Sequence, residues 1–133
     1  MSSTHNQYQS LSPCHLLICE DNEENLLLIE ALAASFGCNT TAAINGQEAI
    51  ERCSEAQYDA ILMDLAMPII SGLEASKRIR TSDNLNKNTP IIAVTAEVSP
   101  LAQSASVSFG INKYISKPID AGLLHQTIQN LIR

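Results

Sequence analysis

The sequence predicts an α/β domain in which five parallel strands alternate with five helices in a doubly wound sheet. Three observations predict it. The run Ala60-Ile61-Leu62-Met63 is apolar on both faces of a strand, the pattern of a strand buried between two helical layers. Similar short apolar runs alternate with segments of helical spacing through short connections, which calls for parallel pairing with helices on both faces. The polar exceptions to these runs all fall at strand ends of one polarity, where open α/β sheets place their binding crevice.

The elements follow in order. The fold starts near His15, and Leu16 to Cys19 is a short buried strand that ends in two adjacent carboxylates, Glu20 and Asp21. Asp21 or Asn22 can cap the next helix, from about Glu23 to Phe36, which Gly37 stops. Helical spacing places Leu28, Ile29, Leu32, Ala33 and Phe36 on its core face and leaves Leu26 and Leu27 off that face, as plain surface or as a docking patch beside the crevice. Cys38 to Ala43 forms a second strand, Asn45-Gly46 a turn, and Gln47 to Ser54 a helix with Ala49, Ile50 and Cys53 inward. The strand before Asp64 is closed by Met67-Pro68, since proline cannot donate to a ladder, and Gly72 lets the chain bend into a helix from Leu73 to Arg80. Leu73, Ser76 and Ile79 share one side of that helix.

After a polar loop from Asp83 to Thr89, Pro90 opens the strand Ile91 to Val94, which ends at Thr95. Val98 to Phe109 carries no charged residue and four serines, with Pro100 where a first-turn proline is tolerated, and reads as a short, weakly stable helix. Ile111 to Ile115 is a fifth strand with Ser116-Lys117-Pro118 at its mouth. Asp120 caps a last helix, Ala121 to Ile132, whose core face is Leu124, Ile128, Leu131 and Ile132.

Composition bounds the function. The chain has 133 residues, 45% hydrophobic, enough for one domain, expected over residues 14–133, with 1–13 as a flexible tail or linker. No apolar run reaches the ~18 residues of a membrane span, and the start lacks the pattern of a signal peptide; a cytoplasmic protein without membrane contact is expected. Eight Lys and Arg stand against fourteen Asp and Glu, a net charge of -6 with no basic cluster, which argues against direct nucleic-acid binding and towards a cation. Cys14, Cys19, Cys38 and Cys53 form no CxxC pair, and His5, His15 and His125 are scattered, so a zinc site is not expected. The cysteines are assigned no function.

Glu20 and Asp21, Asp64, Thr95 and Lys117 end four of the five strands and meet at one crevice. Three converging carboxylates repel unless something positive sits among them. Hard oxygen ligands with room for water suit Mg²⁺, and Lys117 adds a fixed positive charge. Such a site suits a phosphoryl group: cations neutralise its oxygens, Thr95 donates a hydrogen bond, and Asp64 is a nucleophile able to form an acyl phosphate.

Glu20-Asp21-Asn22, Asp64 followed by Met67-Pro68 and Gly72, Thr95-Ala96, and Tyr114 three residues before Lys117-Pro118 together resemble the receiver domain of two-component response regulators, over Leu16 to Arg133. The runs CEDNEEN, AINGQEAI, VTAE and YISKPI are more similar to receivers of hybrid histidine kinases and phosphorelays. The resemblance implies a flavodoxin-like sheet of order 2-1-3-4-5 and Mg²⁺-dependent phosphoryl transfer from a phosphohistidine of a histidine kinase or histidine phosphotransfer protein to Asp64. It further implies Asp21 and Asp64 as direct metal ligands, Glu20 through water, the Ala66 carbonyl as another ligand, and Thr95 and Lys117 on the phosphoryl oxygens. Tyr114 would then be an aromatic switch coupled to Thr95, and Asn22, Asn25 and Leu26 would dock a partner. The surface of the fourth helix, fifth strand and fifth helix would change on phosphorylation and form a possible dimer contact. Two departures, Ala66 and Glu97 two past Thr95, imply a longer-lived phosphate than in fast-cycling members. The competing readings are a pseudo-receiver that only docks, an aspartyl-phosphate hydrolase, which would want an aspartate where Ala66 stands, and a flavin module, which would want a phosphate-cradling loop after the first strand.

Overall fold

The computed structural model describes residues 8–96 and 99–132. Five strands, β1 (His15–Cys19), β2 (Asn39–Ala43), β3 (Ala60–Met63), β4 (Ile91–Thr95) and β5 (Lys113–Ser116), alternate with five helices. The helices are α1 (Glu23–Ser35), α2 (Gly46–Glu55), α3 (Gly72–Thr81), α4 (Pro100–Ser108) and α5 (Ala121–Ile132). All four strand pairings are parallel, in the order β2-β1-β3-β4-β5. β1, β3 and β4 are continuously apolar except at their ends because helices cover them on both faces. One core cluster holds Leu16, Ile18, Leu62, Ile92 and Val94, and the other, from the alternate positions, holds Leu17, Ile61, Met63, Ile91 and Ala93.

Polar side chains start all five helices, with Asn22 and Asp120 as expected and three others that the sequence reading did not name as caps. Asn22, Asn45, Ser71 and Ser99 cap α1 to α4, each accepting from a backbone N–H three residues on, and Asp120 accepts from Leu123 N–H at the start of α5. Pro100 occupies the first turn of α4, as expected. That helix begins at Pro100, and Val98, where the expected segment starts, lies with Glu97 outside the described residues. β5 starts two residues later than expected, because Ile111 N–H donates to Ser106 O and closes the end of α4.

Two expectations are corrected. Leu28 is 51% exposed and Leu26 is half-buried against the core; at 100° per residue the inward stripe of α1 runs Leu26, Ile29, Ala33, Phe36, and Leu28 turns out beside Leu27. The stretch read as a tail is packed from Tyr8 onwards. Leu11 is fully buried, its N–H donates to Phe36 O at 2.8 Å, and the Tyr8 ring stacks on His125 and meets Phe36 edge-on. Its two apolar side chains suffice to hold a polar segment down, while residues 1–7 of the same stretch lie outside the described residues. The loop from Asp83 to Thr89 is polar, as expected, and within it Asn86 is fully buried.

Candidate functional site

The crevice is assembled by main-chain ladders that run one residue past the strands. Glu20 N–H donates to Ala43 O, Asp64 N–H to Cys19 O and Lys117 N–H to Thr95 O, at 2.9, 3.0 and 2.9 Å. These bonds hold the two carboxylates and the lysine in register with neighbouring strands. Gly72 folds the start of α3 back over Asp64, with its N–H on Leu65 O at 3.0 Å. A Cβ there would stand 2.1 Å from Asp64 O, so the close approach needs glycine.

Lys117 Nζ donates to Glu20 Oε1 at 2.7 Å and to Asp64 Oδ2 at 3.1 Å. Asp64 Oδ1 accepts the Ala66 N–H at 3.0 Å, and Glu20 Oε2 accepts the Asn22 N–H at 3.2 Å. Glu20 and Asp64 are buried, whereas Asp21 faces solvent. Carboxylate oxygens of Glu20, Asp21 and Asp64 all lie within 4.8 Å of one another. Burial pushes the Glu20 carboxyl above its ordinary range; the Lys117 hydrogen bond and the Asn22 N–H oppose this, while the Asp64 charge adds to it. Burial also works against the Lys117 ammonium, but its hydrogen bonds to Glu20 and Asp64 and their charges outweigh that and raise its pKa. A group of hard oxygens still short of positive charge fits a small divalent cation with retained water.

Thr95 ends β4 fully buried in the ladder beside Ser116. Tyr114 pairs with Ala93 in β5, half-buried against the core face that carries Met63. Ala66 is exposed beside Asp64. Asn22 is exposed and Asn25 half-buried at the start of α1, but Leu26 turns towards the core, and Leu27 and Leu28 are the outward leucines there. A cavity of about 360 Å³ lined by Tyr58, Asp59, Lys87, Thr89 and Leu131 opens at the other end of the strands and shares none of these groups. Sequence reasoning missed the Ala66 N–H on the Asp64 carboxylate and the direct Lys117–Glu20 pair. The first carries no side-chain signal; the second was legible only as two charges at one edge.

The family model for the response regulator receiver domain matches residues 16–129. The chain belongs to that family. Among curated relatives, hybrid signal transduction histidine kinase I of Dictyostelium discoideum is 38% identical over 126 residues, covering 90% of this chain. The chain spans 7% of that kinase's length. The receiver domain of a Pseudomonas aeruginosa sensor histidine kinase, solved with a magnesium ion coordinated in its active-site cleft, is 34% identical with a TM-score of 0.83, covering 90% of this chain and 97% of that one. The receiver domain of the Saccharomyces cerevisiae response regulator Ssk1, co-crystallised with the histidine phosphotransfer protein Ypd1, is 29% identical with a TM-score of 0.80, covering 89% and 88%. This receiver domain thus shares its fold and family with signalling modules of hybrid kinases, and none of its described helices is long and apolar enough to cross a membrane.

Proposed function

We propose that this receiver domain accepts a phosphoryl group on Asp64 from a phosphohistidine of a histidine kinase or histidine phosphotransfer protein. The observation that carries the reading is the buried Asp64 carboxylate, bridged by Lys117 to Glu20 and lying within 4.8 Å of Asp21. An Asp64 oxygen attacks phosphorus, the phosphorus–nitrogen bond breaks, and the imidazole leaves. Lys117 moves from Asp64 Oδ2 to a phosphoryl oxygen, and the Thr95 hydroxyl donates to another. Glu20, Asp21, Asp64 and the Ala66 carbonyl are the groups that would hold Mg²⁺. When bound, Mg²⁺ neutralises the charge gathered by the carboxylates and the phosphoryl oxygens.

Tyr114, on the strand that ends in Lys117, then reports the change at Thr95 to the surface of α4, β5 and α5. Asn22, Asn25 and the outward Leu27 and Leu28 at the start of α1 dock the donor, in place of Leu26. The methyl of Ala66 gives the attacking water no hydrogen-bonding group, which favours a slowly hydrolysed phosphate.

The test is intact mass after incubation with Mg²⁺ and acetyl phosphate or phosphoramidate, with Asp64→Ala and a metal-free sample alongside. A single phosphate adduct, lost in both controls, is expected. Failure with these donors and with a panel of phosphorylated histidine proteins would overturn the reading and leave an interaction module.

A further inference from the structure

We propose that Cys14 and Cys38 form a second modification site, a dithiol that a peroxide oxidises to a disulfide across the N-terminal ends of β1 and β2. The register His15↔Asn39 sets Cys14 opposite Cys38 one step earlier, and Asn39 N–H donates to Cys14 O at 2.8 Å. Neighbouring parallel strands lie about 4.8 Å apart, inside the ~4.4–6.8 Å between Cα atoms that a disulfide spans. Equal register turns both side chains to the same face, and both belong to the core cluster of Leu11, Phe36 and Ala33. They are only 4% and 6% exposed.

The two thiols already interact. The Cys14 thiol hydrogen-bonds the Cys38 sulfur and holds Cys38 below the ordinary thiol range, against the opposing effects of burial and the Asp59 charge. Cys19 and Cys53 lie in the other core cluster. Burial pushes both of those thiols up, Cys53 to about 12. Of Cys19, Cys38 and Cys53, Cys38 is thus the one whose surroundings favour the thiolate. Both residues adjoin the segment from Ser10 to Pro13, which lies against Gly37, where φ is +84° and a Cβ would come within 2.6 Å of Ser10 Oγ. Local opening of this short segment admits a molecule the size of hydrogen peroxide.

The Cys38 thiolate attacks one peroxide oxygen; the O–O bond breaks, and the departing hydroxide leaves as water with the proton the thiol gave up. Cys38 becomes a sulfenic acid. The Cys14 sulfur attacks it, the S–O bond breaks, and a second water leaves with the Cys14 proton. Two thiols and one peroxide thus give one disulfide and two waters. The cross-link ties together the entries of β1 and β2, the strands that α1 connects, at the end of the sheet opposite Asp64, and touches no group of the crevice.

The experiment exposes the reduced full chain to hydrogen peroxide, then alkylates it and maps peptides without reductant, with thermal unfolding in parallel. The expected result is loss of the two thiol hydrogens, a Cys14–Cys38 cross-linked peptide, and Cys19 and Cys53 alkylated only after unfolding. Tm should rise by roughly 10 °C, reversibly with dithiothreitol, and neither Cys14→Ala nor Cys38→Ala should form the link. A wild-type chain that gives no cross-link, a link at another pair, or only over-oxidised single cysteines would overturn the proposal. The decisive map is made on the wild-type chain, so a variant that fails to fold changes nothing.

Discussion

Lys117 Nζ sits 2.7 Å from Glu20 Oε1, closer than its 3.1 Å to Asp64 Oδ2, so one ammonium serves both buried carboxylates of the crevice. With the three side chains 18%, 2% and 8% exposed, water screens this group little. Lys117→Met should therefore cost about 2–3 kcal/mol at neutral pH without divalent cations, because it leaves charges buried without a partner. Mg²⁺ should restore part of the loss and bind several-fold tighter than to wild type, since no lysine competes for the carboxylates. Urea unfolding with and without Mg²⁺ checks this. Equal stability of the two chains in metal-free buffer would contradict it.

The same ammonium sets an alkaline limit. Its pKa is raised above the ordinary 10.5, so the folded state binds that proton more tightly than the unfolded chain does. The contribution is fully present below 10.5 and is lost as pH rises through the folded value. The stability difference between wild type and Lys117→Met should hold steady from neutral pH to about pH 10 and shrink beyond the ordinary lysine range. Denaturation curves at stepped pH give the difference; a gap that narrows already near neutrality would exclude Lys117 as its source.

Ile69 has φ of +71° and is 79% exposed. A β-branched residue in the left-handed region pays a steric cost that glycine escapes, and little packing is lost on truncation there. Ile69→Gly should stabilise the domain by about 0.5–1 kcal/mol after the extra entropy of a glycine in the unfolded chain is counted. A shift of the urea midpoint to lower concentration would refute the strain.

Asn86 Nδ2 donates to Cys53 O and Ala56 O at 2.8 and 2.7 Å, and its Oδ1 accepts from Tyr58 N–H and the Thr89 hydroxyl at 2.9 and 3.0 Å. One side chain thus ties the end of α2 to the entry of β3. Asn86→Ala should cost about 3 kcal/mol, since it strands several buried polar groups at once, and Asn86→Asp should not rescue it, because a carboxylate cannot donate to the two carbonyls. A loss below about 1 kcal/mol in either variant, measured by denaturation, would show that water replaces the amide.

The crevice was legible because carboxylates, a threonine and a lysine interrupt apolar runs at one end of the strands, and nothing in the core pattern explains charges there. The caps of α1 and α5 were legible for a similar reason: Asn22 and Asp120 precede helical spacing and have a local task, whereas Asn45 read as part of a turn and Ser71 and Ser99 were given no role. What stayed hidden depends on contacts distant in sequence. Leu11 and Tyr8 look like stray apolar residues until α1 and α5 bring Phe36 and His125 beneath them. Asn86 looks like any loop asparagine until the end of α2 closes over it. Leu28 was assigned inward because leucines crowd one turn of α1, and only the phase fixed by Ile29 and Ala33 decides which of them is buried. Cys14 and Cys38 become a pair only once β1 and β2 lie side by side.

The buried side of α4 consists of Ala102 and Ser106, while Leu101 and Val107 are 80% and 73% exposed. An alanine and a serine give up little apolar area when that helix lifts away, and neither turn carries a charge pair to hold it. Its amide hydrogens should therefore exchange with deuterated solvent through a local excursion that leaves the sheet closed. Those of β1 and β3, locked between two helical layers, should exchange only when the whole domain unfolds.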